Sequence, residues 1–342
     1  MGTFIGVSSI EYNNRMEPRH KNCRLTRRTF LAAAAGATAA MIGGCASTSP
    51  QHSPPAVHSI IDTHTHFYDP TRPQGVPWPA KDDAFLYRRV MPAEYEALAR
   101  PLGIAGTVVV EASPWPQDNQ FILDLAAKDS FIVGLCGNLM PGTSEFRQHF
   151  DRFKSNRLFR GVRLRDETWR KHIGDGAFLA DLKRMADADL QVDINTGVDG
   201  LVDAAKLADA VPSLRIVLDH CANTRIDGKA VSVAWLGAMS VLAKHSNVRA
   251  KLSGLVEGSG KTDGTAPTDV EFYKPMLDWM WRLFGEDRLI WGSNWPVSAR
   301  FASLETTFRI VHDYVSGRAA PEAVRKVFGG NAMAAYKWIV RT

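Results

Sequence analysis

The sequence predicts an α/β fold, a (β/α)8 or TIM barrel, on three observations. Short apolar runs alternate with longer stretches of helical periodicity, eight such units fit between residues 58 and 342, and polar residues recur at the carboxyl end of nearly every run. An open doubly wound sheet is the competing architecture, but no G-x-G-x-x-G follows the first run. The 342 residues, 45% hydrophobic and 23% charged, are ordinary globular usage, which excludes disordered, collagen-like and disulfide-dense classes.

The strands are expected at 58–62, 106–112, 131–138, 159–164, 190–195, 215–219, 248–253 and 288–292, where apolar residues are continuous. Helices are expected at 92–102, 118–128, 176–188, 200–210, 233–245, 273–284 and 304–314, most with apolar residues at helical spacing. Residues 256–268 (VEGSGKTDGTAPT) are Gly/Ser/Thr-rich without periodicity and follow the seventh strand, so a mobile lid or rim is expected there. Gly-Lys-Thr within it lacks the upstream glycine of a phosphate loop, and no nucleotide is expected.

Ahead of the barrel, Thr26-Arg27-Arg28-Thr29-Phe30-Leu31 precedes an uncharged Ala/Gly-rich run to Gly44, the pattern of a twin-arginine export signal. That run is too short for a helical membrane span, which needs about 20 residues, so a processed leader over 1–44 is expected. Ile42-Gly43-Gly44-Cys45 is similar to a lipobox, which would tether the mature protein to a membrane through a lipidated Cys45. Residues 45–57, rich in Ser and Pro, read as a linker, and 58–342 as the barrel. The implied partners are the export machinery and a small-molecule substrate, and the location is periplasmic or membrane-anchored.

The formal charge of +5 comes largely from the leader, whose removal leaves 35 basic and 34 acidic residues. A near-neutral body lacks the concentrated basic face that nucleic acid requires. Cys23 and Cys45 belong to the leader, whereas Cys136 and Cys221 lie in apolar runs without C-x-x-C spacing and are assigned to packing.

In such a barrel the chemistry stands at the carboxyl ends of the strands, here Asp62, His64 and His66, then Glu111, Arg163 and Arg165, Asp193 and Asn195, His220, and Asn294. A period of two sends residues 62, 64 and 66 the same way, so two imidazoles converge on the mouth. Neutral imidazoles suit a metal, and Asp62 is placed to orient one of them.

The motifs Ile61-Asp62-Thr63-His64-Thr65-His66-Phe67, Phe159-Arg160-Gly161-Val162-Arg163, Leu218-Asp219-His220 and Ile290-Trp291-Gly292-Ser293-Asn294-Trp295-Pro296 together resemble the amidohydrolase superfamily. The resemblance is to its amidohydrolase-related group, which holds 2-pyrone-4,6-dicarboxylate hydrolase and the sugar lactonases. It implies a barrel hydrolase opening a small lactone with activated water, with His64, His66 and His220 around that water or a divalent metal such as Zn2+; the group does not uniformly need a metal. The sequence departs from that pattern where Asn294 replaces the Asp that takes a proton from water, and where Asp193 or Asn195 replaces the strand-five histidine.

Glu111, ending an otherwise apolar strand, is the expected substitute base, the alternative being a structural partner of Arg163 or Arg165. Asp219 is expected to turn away from the pore. Arg163 and Arg165 share parity and suit a carboxylate or a polarised carbonyl. Trp115, Trp169 and Trp295, beyond strand ends, are candidate walls of a substrate pocket along with Asn195. The competing functions are a metal-assisted decarboxylase and a binding protein with catalysis reduced by Asn294.

Overall fold

Eight parallel strands pair in chain order in the computed structural model, which describes residues 59–165, 168–338 and 340. They are β1 (Ile60–Thr65), β2 (Ile104–Val110), β3 (Ile132–Gly137), β4 (Phe159–Leu164), β5 (Gln191–Ile194), β6 (Arg215–Leu218), β7 (Val248–Leu252) and β8 (Leu289–Trp291). The barrel closes just past β8: Thr65 bridges Trp295, the His66 amide donates to the Trp295 carbonyl (2.9 Å), and the Asn294 amide donates to the His64 carbonyl (2.8 Å). The expected leader and linker lie outside the described residues.

The helices are α1 (Pro92–Ala99), α2 (Asp118–Lys128), α3 (Ser144–Lys154), α4 (Gly176–Asp187), α5 (Leu201–Ala210), α6 (Val233–Leu242), α7 (Leu255–Gly258), α8 (Val270–Phe284), α9 (Leu304–Arg318), α10 (Pro321–Arg325) and α11 (Asn331–Tyr336), the longer of which cover the outside of the strands. No helix among the described residues is long and apolar enough to cross a membrane. Helix α3 was not anticipated, because its apolar face is only Phe146, Phe150 and Phe153 in a charged segment; those three are buried, and the Thr143 hydroxyl caps the helix by accepting from the Phe146 amide.

Side chains alternate between two cores. Val192, Ile194, Ile216, Leu218, Val248 and Leu252 pack outward under the helices, while Ile61, Val108, Val110, Val133, Cys136, Val217 and Ile290 fill the barrel interior. Tyr336 and Trp338 complete that interior from the amino-terminal end of the strands. The plug is tied in place because Arg215 and Arg160 donate to the carbonyls of Ala335 (2.7 Å) and Tyr336 (2.8 Å). The floor is therefore sealed, and the polar residues above it face the other end. Cys136 and Cys221 are buried free thiols.

The segment expected to be a mobile lid is instead built into the rim. It starts as helix α7, and its Gly264 and Ala266 amides donate to the carbonyls of Arg300 (3.0 Å) and Phe301 (3.1 Å). Backbone pairing of this kind replaces the apolar periodicity that the sequence lacks.

Candidate functional site

The end of β1 is pinned before its histidines are placed. The Asp62 carboxylate accepts from the amides of His64 and Ser293 (both 2.9 Å) and from the Tyr95 hydroxyl (2.6 Å), so it fixes backbone and does not touch an imidazole. Gly292 lets β8 pass close by, since a Cβ there would lie 2.9 Å from the His64 Cβ. His66 Nδ1 donates to the Val110 carbonyl (2.7 Å), because a carbonyl can only accept; its Nε2 then carries the lone pair, 3.1 Å from Asn294 Oδ1.

His220 enters by a different route from the one that strand parity suggests. Val217 points into the barrel, so Asp219 does too, and the expectation that Asp219 turns away is overturned. His220 reaches the ring because residues 220–223 all adopt left-handed backbone, φ 52°, 49°, 61° and 45°. Their strain is offset locally: Trp235 Nε1 donates to the Cys221 carbonyl (2.9 Å), and Asn223 Nδ2 donates to Asn195 Oδ1 (2.7 Å) and the Thr196 carbonyl (3.0 Å). Asn195 thus braces this turn. His220 Nδ1 lies 2.9 Å from the Ser253 hydroxyl, and its ring is 4.3 Å from that of His64, which in turn is 5.0 Å from that of His66.

Below the rings lies a buried charge cluster in which Lys251, absent from the sequence reading, is central. Its ammonium donates to Asp193 Oδ2 (2.6 Å), pairs with Asp219 Oδ1 (2.9 Å) and contacts His64 Nδ1 (3.1 Å). Arg163 Nε donates to Asp219 Oδ2 (3.2 Å), and the Tyr336 hydroxyl donates to Asp193 (2.9 Å). Two cations and two carboxylates cancel. Burial, together with these cations, holds His64 well below its ordinary range, His66 at about 4 and His220 at about 3, so all three rings are neutral at pH 7. Asp219, despite burial, is held well below the usual carboxylate range by the Lys251 ammonium, with Arg163 adding to the effect.

The residue facing Asn294 is Glu257, on the first turn after β7, which the sequence reading had assigned to a loop. Asn294 Nδ2 donates to Glu257 Oε1 (2.8 Å), while Oε2 is buried with no hydrogen-bond partner among the described residues. Burial pushes this carboxyl up to about 7. Glu111 is elsewhere. Val108 and Val110 face the interior, so Glu111 shares the outward face of Val109 and lines a niche with Arg72, Asp118 and Phe121. There Oε1 accepts from the Ser113 amide (2.7 Å), and burial raises the carboxyl to about 7. It pairs with neither Arg163 nor Arg165 in a described ion pair.

Arg163 and Arg165 do line one cavity, of about 420 Å³, with Asn138, Glu145, His149 and Thr168, and none of His64, His66, His220, Glu257 and Asn294 lines it. Arg165 also donates to the Ala112 carbonyl. Trp169 is fully buried and Trp295 packs against Phe67 and Tyr95, so both belong to the core and neither walls a substrate pocket; Trp115 is exposed on the loop after β2.

A divalent metal would draw on His64, Asp219 and His220, whose donor atoms lie within 4.8 Å of one another; His66 is outside that group. In charge these residues do not fit it. Asp219 already holds Lys251 and Arg163, and a doubly charged ion would enter a cluster that is neutral without it and be repelled by both cations.

Residues 61–338 match the model of the amidohydrolase family. The chain is 32% identical over 285 residues to an L-fucono-1,5-lactonase of Burkholderia ambifaria, covering 81% of this chain and 95% of that one. An L-fucono-1,5-lactonase of Burkholderia multivorans is 26% identical over 81% of this chain and 95% of its own. The fold also superposes on the crystal structure of an amidohydrolase from Burkholderia multivorans with bound zinc, with a TM-score of 0.73, 23% identity, and coverage of 82% of this chain and 100% of that one.

Proposed function

The chain belongs to the amidohydrolase family, and on that premise we propose that it is an exported lactonase that opens a small sugar-derived or carboxylated lactone with an activated water. One observation carries the mechanism: the hydrogen-bonded chain Glu257–Asn294–His66, in which a half-neutralised carboxyl stands where Asn294 has removed the usual Asp. Glu257 takes a proton from water as the water oxygen bonds to the lactone carbonyl carbon. The tetrahedral oxyanion collapses, the ring C–O bond breaks, and the proton returns to the leaving alkoxide, giving a hydroxy acid.

Amide oxygen and nitrogen are interchangeable by a flip of Asn294, so the chain can hold its proton on Glu257, with Asn294 donating to His66 Nε2. That arrangement satisfies the bare nitrogen of His66 as well as the raised Glu257, and it keeps the base beside the ring of histidines. The cavity beside Arg163 and Arg165 supports the substrate class, since guanidinium forks suit the carboxylate or hydroxyl oxygens of such lactones.

Export is supported by Arg27-Arg28 and the apolar run that follows, and membrane tethering by Cys45. The activity is tested by acid release from purified protein presented with a panel of 1,4- and 1,5-aldonolactones, L-fucono-1,5-lactone included, and 2-pyrone-4,6-dicarboxylate. Turnover of a member of the panel above its spontaneous opening is expected. Absence of any lactone turnover, or release of carbon dioxide from an aromatic acid instead, overturns it.

A further inference from the structure

The nitrogen through which His64 faces the site is fixed by a residue far from it in sequence. Lys251 is fully buried, and an ammonium offers three donors and no acceptor. Its three close partners are Asp193 Oδ2, Asp219 Oδ1 and His64 Nδ1, at 2.6, 2.9 and 3.1 Å. Burial works against its charge, but the two carboxylates outweigh it and the net shift is upward, so the lysine stays protonated. His64 Nδ1 must therefore accept. Asp219 Oδ1, the acceptor that could take a hydrogen from that nitrogen, is farther away at 3.4 Å and is itself paired with the Lys251 ammonium at 2.9 Å.

A neutral imidazole carries one hydrogen, and with Nδ1 accepting, it resides on Nε2. Nδ1 faces the floor of Lys251 and Asp193, so Nε2 faces roughly the opposite way. It is buried and has no hydrogen-bond partner among the described residues. We propose that Lys251 is a positioning residue that holds His64 as the Nε2–H tautomer, so that His64 presents a hydrogen and not a lone pair on the side away from the lysine. The loss of kcat expected below rests on the lactonase reading above; the tautomer does not.

The two histidines of one H-x-H motif then divide the work. His66, whose Nδ1 donates to the Val110 carbonyl, offers a lone pair at Nε2, whereas His64 offers a hydrogen. The same hydrogen withdraws the His64 lone pair from a metal, in line with the charge balance of the cluster.

The test is nitrogen-15 NMR of histidine-labelled protein without substrate, assigned by a His64→Gln control. A hydrogen on His64 Nε2 and a bare Nδ1 are expected. In Lys251→Met the hydrogen should move to Nδ1, toward Asp219, leaving Nε2 bare, and Zn2+ measured by calorimetry should bind at least about tenfold more tightly than to the wild type. The same variant should lose about 100-fold in kcat with KM within about threefold, the magnitude that follows when one hydrogen-bond donor is lost from such a site. Should Lys251→Met not fold, Lys251→Met with Asp193→Asn restores charge balance and carries the same readouts. A bare His64 Nε2 in the wild type, or an unchanged tautomer in the folded variant, overturns the proposal. Failure of every lactone assay with the expected tautomer present overturns the function and leaves the tautomer assignment standing.

Discussion

Glu257→Gln separates chemistry from folding more cleanly than any other substitution in this site. The amide keeps the shape and can still bond to Asn294, but it cannot accept a proton, so kcat should fall by about two to four orders of magnitude. Stability should move the other way. The folded protein holds this carboxyl at about 7 against its ordinary 4.5, so between those values the folded state binds the proton more tightly than the unfolded chain. Stability is therefore lost as pH rises from about 4.5 to 7, and above pH 7 the charged form costs the fold about 3 kcal/mol. Gln carries no such cost. The variant should match the wild type at pH 4 to 5 and melt several degrees higher at pH 8, at roughly 2 to 4 °C per kcal/mol. Activity of the wild type requires the ionised base, so kcat/KM should be full above about pH 7 and decline as pH falls through it. The assays are acid release from L-fucono-1,5-lactone, corrected for spontaneous opening, and thermal unfolding at both pH values. A variant that keeps activity within threefold of the wild type, with its acid limb unmoved, refutes the assignment of the base.

Glu111→Gln should leave kcat within about threefold, because Glu111 faces Arg72 and Asp118 in the outer shell, yet it should also raise the melting temperature above pH 7; a hundredfold loss of kcat would return it to the mechanism. Gly254→Ala sets a Cβ 2.6 Å from the His220 Cβ at φ +66°, so it should cost about 1 to 3 kcal/mol in denaturant unfolding and lower kcat by displacing the ring; wild-type values of both would show that the turn has slack. Replacing Arg27 and Arg28 by Lys should leave precursor in the cytoplasm, as fractionation and immunoblotting would detect; normal export would reject the twin-arginine reading.

Eight apolar runs separated by helical stretches were enough to determine the barrel, because burial on both faces and right-handed parallel connection leave few other ways to cover such strands. They also determined that residues 64, 66, 163, 220 and 294 stand at one end, since a strand fixes where it ends. Which side of a strand end faces the pore was a different matter. Period-two alternation relates residues within a strand but does not set the absolute phase, so Asp219 was turned the wrong way and Glu111 was drawn into a pore that it does not face. Phase could have been read from Val217 and Val108 only with knowledge of which core each fills. Four left-handed residues then carried His220 inward where alternation alone would not have. Lys251 and Glu257 had local signals, a lysine in an apolar strand and a carboxylate directly after its end, but the partners that give them roles come from other strands. The tautomer of His64 is set by an ammonium 187 residues away, and the proton of Glu257 by burial against Asn294, 37 residues away. Such contacts follow from how the strands stagger as the barrel closes and from how the loops cross its mouth, and it is the folded chain, through distance and exclusion of water, that turns these ordinary side chains into a donor and a base.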